Sequence, residues 1–454
     1  MKPRKPASTR AARPGSHRPH LVPPAVLPPQ LVTIEKPIYG GACLARVEGK
    51  AVFVPLTLPG EQARIRIIDD KRGYATAEAE QIVAIAPERI APKCSHFGIC
   101  GGCHYQHTGH EVQLKFKQAI LRETLQRAGV QPPEEITLLS AALPSQTWAY
   151  RNRIRLAFDA KGNQGYRGRQ SHSVVPIREC PIAAPLLVQA ALAFADVARK
   201  SFPALRPTEL SLFCNATETS LLASVFTAGA ANPHFEDLAI AVHERIPALT
   251  GADLVAESRV GEHPHTIARW GATSLAYRAA GFDYRVDHGA FFQINRWLID
   301  PLVERVTAGH SGKLAWDLFA GVGLFARQLS ADFDRVVAVE SAPPAANALE
   351  ENLQGTTGTA VRATTLDFLR SSRQGSSPDL IVVDPPRTGL GSEITAQLAH
   401  IAAPALVYVS CDPATLARDL HALLATGYQI ESITLADLFP QTFHLETVVR
   451  LRRS

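Results

Sequence analysis

Four short apolar runs in the last third of the chain place the strongest constraint on its fold. They occupy residues 314–319, 335–339, 380–383 and 405–409, and segments with helical character separate them. This alternation is typical of a doubly wound α/β domain built on a mainly parallel sheet. A further run at 447–451 predicts a last strand. In such sheets ligands bind beyond the carboxyl ends of the strands, so the residues that follow each run are the first candidates for a functional site.

Composition and charge exclude several classes of protein. The chain has 454 residues, of which 46% are apolar and 20% charged, as in a soluble protein of about three domains. The net charge is +5, yet residues 1–34 hold six basic side chains and no acidic one, which leaves 41 basic and 42 acidic groups elsewhere. A uniformly basic coat for nucleic acid is therefore excluded. No apolar stretch is long enough to span a bilayer, and no secretory signal is visible, so we expect a cytoplasmic protein without membrane attachment.

The rest of the chain divides into three parts by pattern. Residues 1–29 contain eight prolines and the six basic side chains, a composition that predicts a disordered tail. Short alternating runs punctuated by glycine between residues 30 and 90 predict a small β-barrel of the OB type, a common platform for nucleic acid. Residues 91–285 mix strand-like and helical segments around a cysteine cluster, which indicates an α+β domain of unreadable topology.

A glycine motif follows the first apolar run. Gly321 and Gly323 permit a close approach of the backbone to a ligand, and Glu340 ends the next strand, where a carboxylate can accept hydrogen bonds from ribose hydroxyls. The pattern also satisfies a dinucleotide fingerprint. We therefore keep an NAD-dependent oxidoreductase as a rival hypothesis.

Two further strand ends carry reactive groups. Asp384 precedes two prolines, and Cys411 precedes Asp412, which reads as the N-cap of a helix that begins at Pro413. A helix N-terminus favours the thiolate form of a nearby cysteine, so we expect a lowered pKa at Cys411. The plain alternative is an inert, buried cysteine.

Three of the seven cysteines form a cluster, Cys94, Cys100 and Cys103, in a glycine-rich segment. Three thiolates at this spacing indicate a metal site. Spacing alone does not separate a structural zinc, with His96 or His104 as fourth ligand, from an iron–sulfur cluster that uses a distant cysteine. Residues 148–169 form another cluster, of arginines and aromatic side chains, which suits phosphates and unstacked bases but is also compatible with a solvated strand.

Taken together, these motifs resemble the bacterial RNA uracil-C5 methyltransferases, which use S-adenosylmethionine (SAM). The segments that carry the resemblance are FFQIN at 291–295, DLFAGVG at 317–323, DPPR at 384–387, SCDPATLARD at 410–419 and HLE at 444–446. YRNR at 150–153 and GYRGRQSH at 165–172 resemble the family's central domain, and residues 53–61 resemble its TRAM domain. The resemblance implies a TRAM barrel over 30–90, a central domain with the cluster over 91–285, and a Rossmann-like class I methyltransferase domain over 286–454.

The resemblance also assigns roles to individual residues. It makes Cys411 the nucleophile and Glu446 the base, and it supplies Cys180 as the fourth ligand of a [4Fe-4S] cluster. The residues it assigns to SAM are Gln293, Phe319, Glu340, Asp367 and Asp384. Two departures from the family pattern stand out. Leu324 replaces a common Asn or Thr, so one polar contact to SAM is expected to be missing, and Asp412 replaces a common Asn.

Three hypotheses about function follow. The first is methylation of uridine C5 in structured RNA, with 23S rRNA as the expected substrate because the tRNA enzyme of the family lacks both the TRAM domain and the cluster cysteines. Transfer RNA is the alternative substrate. The second is the NAD-dependent oxidoreductase, and the third is an RNA-binding assembly factor or redox sensor without catalytic activity. Arg387, beside Asp384, is a further candidate for orienting the base or the cysteine. We expect the chain to act as a monomer.

Overall fold

The computed structural model describes residues 28–229, 232–257, 264–372 and 377–453. The prediction of a disordered basic tail over residues 1–29 therefore lies almost entirely outside the described residues. Each of three large sheets organises one part of the chain. No helix in the described part is both long and apolar enough to cross a membrane.

The first part is a six-stranded barrel-like sheet with the strand order β1-β5-β6-β4-β3-β2. Its strands are β1 (Gln30–Thr33), β2 (Lys36–Pro37), β3 (Ala42–Val47), β4 (Lys50–Pro55), β5 (Gln62–Asp70) and β6 (Tyr74–Ala84). The alternation in β5 explains its register, because Ala63 and Ile65 are buried while Arg64 between them is exposed. The small barrel expected from the pattern is present.

The second part is a seven-stranded mixed sheet covered by two helices. Helix α1 (His110–Arg127), strand β7 (Thr137–Leu139) and a 3-10 turn (Pro144–Thr147) precede it. Its elements are β8 (Arg153–Phe158), β9 (Gln164–Arg167), β10 (Val174–Pro176), α2 (Pro185–Ser201), β11 (Glu209–Cys214), β12 (Leu221–Thr227), α3 (Phe235–Arg245), β13 (Leu249–Ala256) and β14 (His265–Gly271). The strand order is β10-β9-β8-β11-β12-β13-β14. A hairpin, β15 (Ser274–Ala279) and β16 (Phe282–Asp287), leads out of it.

The third part is an eight-stranded sheet with the order β19-β18-β17-β20-β21-β23-β22-β7. Its strands and helices are α4 (Ile299–Thr307), β17 (Gly312–Leu318), α5 (Leu324–Leu329), β18 (Phe333–Glu340), α6 (Pro343–Asn352), β19 (Gly358–Arg362), α7 (Thr365–Ser371), β20 (Leu380–Val383), α8 (Gly391–Ile401), β21 (Ala405–Ser410), α9 (Pro413–Leu424), β22 (Tyr428–Ala436) and β23 (Glu446–Arg453). Strands β17 to β21 pair in parallel, whereas β23 is antiparallel to both neighbours. The predicted doubly wound domain and its last strand are both present.

Strand β7 and helix α1 belong to this third sheet in space, although they come earlier in the chain. β7 pairs in parallel with β22 as the edge strand. Apolar residues of α1, among them Ile120 and Leu125, share a core with α9 and the strands of the sheet. The sequence between residues 91 and 139 therefore ties the cysteine cluster directly to the domain that carries the candidate active site.

Candidate active site

Cys411 is the first of the two residues between β21 and α9. Strand β21 is completely buried along most of its length, and Asp412 ends the extended conformation by accepting hydrogen bonds from the backbone amides of Ala414 and Thr415, each at 3.0 Å. The predicted N-cap at Asp412 is therefore confirmed. This cap fixes the start of α9 and leaves the half-buried Cys411 thiol at the carboxyl edge of the sheet.

Glu446 faces Cys411 across the end of an antiparallel ladder. The last pair of the β21–β23 register is Ser410 with Thr447, so the next pair in the same register is Cys411 with Glu446. Adjacent side chains on an antiparallel pair stand close together, and the charge of Glu446 contributes to the pKa of the cysteine. Glu446 is only 4% exposed, which places a carboxyl group in a dry site next to a thiol.

Asp384 adds a second carboxyl group to the same site. It follows β20, and Gln293 Nε2 donates to its Oδ2 at 3.5 Å. Burial raises the pKa of Glu446 well above its usual value, and the neighbouring Asp384 raises it further. Burial likewise raises the pKa of Asp384. The structure thus brings Gln293, Asp384, Cys411 and Glu446 together at one sheet edge.

The expected lowering of the Cys411 pKa is wrong. Burial is the largest influence on this thiol and raises its pKa to about 12, and the carboxyl groups of Glu446, Asp384 and Asp412 act in the same direction. The charge of Arg387 opposes them. Because burial and the nearby carboxyl groups all disfavour the thiolate, the resting cysteine is a thiol that must lose its proton during reaction.

The glycine motif and Glu340 form the other half of the sheet edge. Both Glu340 oxygens accept backbone hydrogen bonds: Oε2 from Gly321 at 2.9 Å, and Oε1 from Ser341 and Ala342 at 2.7 Å each. A Cβ built on Gly321 would meet no atom within 4 Å, while one on Gly323 would approach Leu349 to 2.7 Å. Gly323 has a left-handed φ of 89°, which favours glycine, and Gly321 faces open space where a ligand can approach the backbone.

The remaining residues expected to bind SAM lie around this edge. Phe319 follows β17 in a left-handed conformation, with φ of 64°. Asp367 lies exposed in the first turn of α7, where Thr364 Oγ1 donates to its Oδ2 at 2.7 Å. Leu324 is buried in the apolar core of the sheet, so it takes the place of a polar side chain without leaving a gap.

Arg387 contacts the segment that leads into Glu446. Its Nη2 atom is 2.9 Å from Nδ1 of His444, two residues before the carboxylate. Burial, together with the Arg387 charge, lowers the pKa of His444 to about 3, so this imidazole is neutral and accepts the hydrogen bond. The contact joins the DPPR motif to the HLE motif beside Cys411.

Helix α1 holds the connection between β22 and β23, a role that the sequence did not reveal. Lys117 Nζ lies 2.5 Å from Asp437 Oδ1 and donates to the Phe439 carbonyl at 2.9 Å. Gln113 exchanges hydrogen bonds with Gln441 through both side chain and backbone. Lys117 and Asp437 are each about 1% exposed. The loop before Glu446 is therefore anchored by buried polar contacts to a helix more than 300 residues earlier.

The barrel also reaches this site. Tyr39 Oη donates to Asp412 Oδ2 at 3.2 Å, and its ring packs edge-on against Phe443 at 5.3 Å between centroids. Nothing in the local sequence around Tyr39 marks it, because the contact joins residues 373 positions apart. The N-terminal barrel is thus in direct contact with the N-cap of α9, next to Cys411.

The four cysteines expected to bind a cluster line a single cavity. Cys94, Cys100, Cys103 and Cys180 surround it together with Arg151 and Tyr166, and Tyr166 Oη donates to Cys180 Sγ at 3.7 Å. Within the described residues, no group of three or more His, Cys, Asp or Glu side chains is arranged to hold a metal ion. Zinc would need its ligands about 2.3 Å from one point, whereas a [4Fe-4S] cluster binds each thiolate through a different iron. Four thiols are a ligand set that both groups use.

The basic and aromatic segment at 148–169 is partly core, which corrects the expectation of an RNA-binding surface along its length. Tyr150 is fully buried and donates through its hydroxyl to the Pro440 carbonyl at 3.0 Å. The Arg153 guanidinium lies 4.4 Å above the Phe213 ring, and burial lowers its pKa to about 10. Tyr150 packs against the loop between β22 and β23, and Arg153 packs on the central sheet. Neither side chain is therefore part of a solvent-facing site for phosphates.

Comparison with known proteins decides the family. A TRAM domain model matches residues 29–79, and the tRNA (Uracil-5-)-methyltransferase family model matches residues 374–454. The chain is 32% identical to the 23S rRNA (uracil(1939)-C(5))-methyltransferase RlmD of Klebsiella pneumoniae (strain 342), over 91% of this chain and 93% of that protein. The chain belongs to the RNA uracil-C5 methyltransferase family. This RNA (uracil-5-)-methyltransferase is SAM-dependent, so the oxidoreductase hypothesis is set aside.

Two other relatives agree with this assignment. An RNA methyltransferase of Streptomyces avermitilis is 32% identical over 91% of this chain and 95% of its own length. Among solved structures, the tRNA (uracil-54, C5)-methyltransferase of Pyrococcus abyssi in complex with S-adenosyl-L-homocysteine aligns with a TM-score of 0.73. It is 23% identical and covers 93% of this chain and all of that one, so the two proteins share their fold.

Proposed function

We propose that this methyltransferase modifies C5 of a uridine in 23S rRNA through a covalent bond between Cys411 and C6 of the uracil. The observation that carries the proposal is the proximity of Cys411 and Glu446, which lie one residue beyond the last pair of the β21–β23 ladder, Ser410 with Thr447, and interact electrostatically. Uracil C5 is a weak nucleophile, so the reaction requires a nucleophile that activates the ring and a base that later removes a proton. Cys411 and Glu446 have the chemistry for these two roles, and their proximity supports the proposal.

Each step then has a residue to perform it. Cys411 transfers its proton to solvent water as Sγ bonds to C6, and the electrons of the C5–C6 double bond move towards C5 and O4. C5 then takes a methyl group, which SAM supplies on its sulfonium sulfur. Glu446, which must be ionised for this step, removes the remaining proton from C5, and its raised pKa makes the carboxylate a stronger base. The double bond then re-forms, and Cys411 leaves as a thiolate. Arg387, whose charge opposes the raised pKa of Cys411, stabilises that thiolate at both ends of the sequence.

Binding of SAM is proposed for the rest of the sheet edge. Glu340 faces the glycine motif and suits ribose hydroxyls, while Gln293 and Asp384 flank the reacting end next to Cys411. Phe319 offers a ring at the end of β17, and Asp367 stands at the start of α7 near the expected adenine. Open space above Gly321 supports a close approach of the ligand to the backbone.

The choice of 23S rRNA rests on relatives. The name of the Klebsiella protein specifies uracil 1939 of 23S rRNA, and a protein with the same name from Pseudomonas entomophila (strain L48) is 32% identical over 92% of both chains. Transfer RNA stays the second candidate because the matching family model and the Pyrococcus structure carry tRNA in their names.

A [4Fe-4S] cluster is proposed for the cavity formed by Cys94, Cys100, Cys103 and Cys180. The donor set fits such a cluster, and His104, next to Cys103, donates its backbone amide to the Gln441 carbonyl at 2.8 Å. When bound, the cluster would cross-link the cysteine loop to residue 180. Its ligands would thereby hold His104 and the loop that precedes Glu446 in place.

The proposal is tested with purified protein, methyl-labelled SAM and RNA from a strain that lacks the enzyme. We expect label in 5-methyluridine of 23S rRNA, and none in tRNA, with mass spectrometry identifying the position. Label in tRNA alone would replace the substrate. Cys411→Ala should abolish transfer, and RNA that contains 5-fluorouridine should form a complex with the wild-type protein that survives denaturing electrophoresis. Absence of that complex would contradict the covalent mechanism.

A further inference from the structure

A cavity of about 470 Å³ lies between the barrel, the cysteine loop and the central sheet. His104 is one of its lining residues. The residues that shape it include Gly41, Phe53, Thr76, Glu78, Gly101 and Arg169. This volume lies within the range of pockets that enclose a small ligand. It shares Gly102 and Tyr166 with the four-cysteine cavity, but none of the residues assigned to SAM or to the uracil lines it.

The cavity has an aromatic wall and a polar one. Phe53 stacks on Tyr74 with 5.3 Å between ring centroids, which adds a flat apolar surface to the barrel side. Thr76 and Glu78 stand on the same face of β6, two residues apart. On the opposite side, Nη1 of Arg169 is buried and has no hydrogen-bond partner among the described residues. A hydrogen-bond acceptor on a ligand would supply the missing partner of this nitrogen.

The walls of the cavity are held in place by backbone contacts. Gly101 donates to the Arg167 carbonyl at 3.1 Å, and Arg169 donates to the Ile99 carbonyl at 2.9 Å. A Cβ on Gly101 would lie 3.1 Å from that same carbonyl oxygen of Arg167, and one on Gly41 would meet the His104 ring at 2.8 Å. The close approach between loops therefore requires glycine, and the cavity is built into the fold.

A short series of contacts connects the cavity to the active site. His104, on the cavity floor, packs edge-on against Phe443 at 4.6 Å, and the Phe443 and His444 rings are 4.3 Å apart. His444 in turn contacts Arg387 beside Cys411. These contacts connect the cavity wall to the segment that precedes Glu446.

We propose that this cavity binds an unpaired purine base of the RNA strand that carries the target uridine. The inference deepens the proposed function and rests on it. A purine has a flat face for Phe53 and an edge with both donors and acceptors, which match the Glu78 carboxylate and the Arg169 guanidinium. Held there, the base fixes the position of the strand while the uridine enters the active site.

Two variants test the proposal with anaerobically purified full-length protein. Thr76→Tyr fills the cavity with a residue that strands tolerate, and Thr76→Val is its matched control. Arg169→Gln removes the guanidinium, with Arg278→Gln, in an exposed pair with Asp283, as its control. The probe is a fluorescein-labelled 12-nucleotide single-stranded RNA of repeated GACU, and a 12-nucleotide oligouridine serves as the purine-free probe. Thermal melting checks that each variant is folded.

We expect wild-type protein to bind the purine-containing RNA more tightly than oligouridine, and Thr76→Tyr and Arg169→Gln to weaken it about tenfold or more, in line with the ~1–3 kcal/mol that stacking of one base contributes. Both controls should bind like wild type. At saturating 23S rRNA the two variants should keep the wild-type kcat with a raised KM. If wild type methylates RNA but both variants bind both probes as it does, the cavity proposal is wrong. If wild type methylates no RNA, the proposed function fails instead.

Discussion

The buried ammonium of Lys117 and the buried carboxylate of Asp437 join helix α1 to the segment that leads into Glu446. The two groups lie 2.5 Å apart, and His110 Nε2 approaches the other carboxylate oxygen to 2.7 Å. Burial opposes ionisation of Asp437, but the charge of Lys117 overcomes it and lowers the pKa of the carboxyl group. The pair therefore exists in its charged form and holds the segment that leads into Glu446.

Removal of one partner should be costly. We expect Asp437→Ala to lower the free energy of unfolding by about 3–5 kcal/mol, because Lys117 would keep an unpaired buried charge. The double variant Lys117→Met, Asp437→Leu should regain most of that loss. Urea unfolding at pH 7 measures both. Because the pKa of Asp437 is lowered in the folded state, the stabilisation is present above about pH 4 and is lost as pH falls through the folded value. Equal stability of wild type and Asp437→Ala would show that the pair contributes nothing.

Glu446→Gln should separate methyl transfer from product release. The amide cannot accept the proton from C5, so the methylated RNA should remain bonded to Cys411. We expect a protein–RNA complex that persists on a denaturing gel only when SAM is present, and turnover reduced at least 100-fold, as general-base removal commonly produces. Cys411→Ala combined with Glu446→Gln is the control and should give no complex. Multiple turnovers by Glu446→Gln at the wild-type rate would assign the base elsewhere.

The pH dependence should reflect the thiol form of Cys411. Because its pKa is raised to about 12 by burial and by neighbouring carboxyl groups, the thiolate fraction at neutral pH is small and increases tenfold per pH unit. We therefore expect kcat/KM, and alkylation of Cys411 by iodoacetamide, to rise from pH 6 to pH 9. Asp412→Asn removes one of those charges while keeping the N-cap. It should move the alkylation profile to lower pH by about half a unit, whereas Asp334→Asn, a surface change away from the site, should not.

Much of this site could be predicted because its residues mark strand ends. Asp384 and Cys411 follow apolar runs, and parallel strands bring their carboxyl ends to one edge. The protonation state of Cys411 could not be predicted in this way, since it depends on burial and on three carboxyl groups from different strands and loops. Two long-range contacts could not be predicted either. Tyr39 and Asp412 are 373 positions apart in the chain, and Lys117 and Asp437 are 320 positions apart. For Arg153 the sequence pattern was misleading. The interleaved arginines and aromatic residues predict a surface for RNA, but Arg153 packs on Phe213 inside the protein.

Glu340 offers a direct test of the SAM site. Its carboxylate holds the amides of Gly321, Ser341 and Ala342, and is the group expected to meet ribose hydroxyls. Glu340→Gln keeps the shape but removes the charge, so we expect the Kd for S-adenosylhomocysteine to rise about 10-fold or more, since hydrogen bonds to charged groups contribute ~1.5–3 kcal/mol. Isothermal titration calorimetry measures this. Glu350→Gln, on the exposed side of α6, is the matched control, and an unchanged Kd for Glu340→Gln would place the ribose elsewhere.

The proposed cluster in the four-cysteine cavity can be tested by iron content, with a cysteine outside the cavity as the control. Anaerobically purified wild type should contain about four iron atoms and absorb broadly near ~400 nm, as expected of thiolate-bound iron. Cys180→Ser should lose most of that iron, whereas Cys214→Ser should retain it, because Cys214 is buried in the central sheet away from the cavity. Colourless wild-type protein with one bound zinc would overturn the cluster. If the cluster holds the loop before Glu446, Cys180→Ser should also make residues 437–444 exchange amide hydrogen faster, which mass spectrometry detects without any assay of activity.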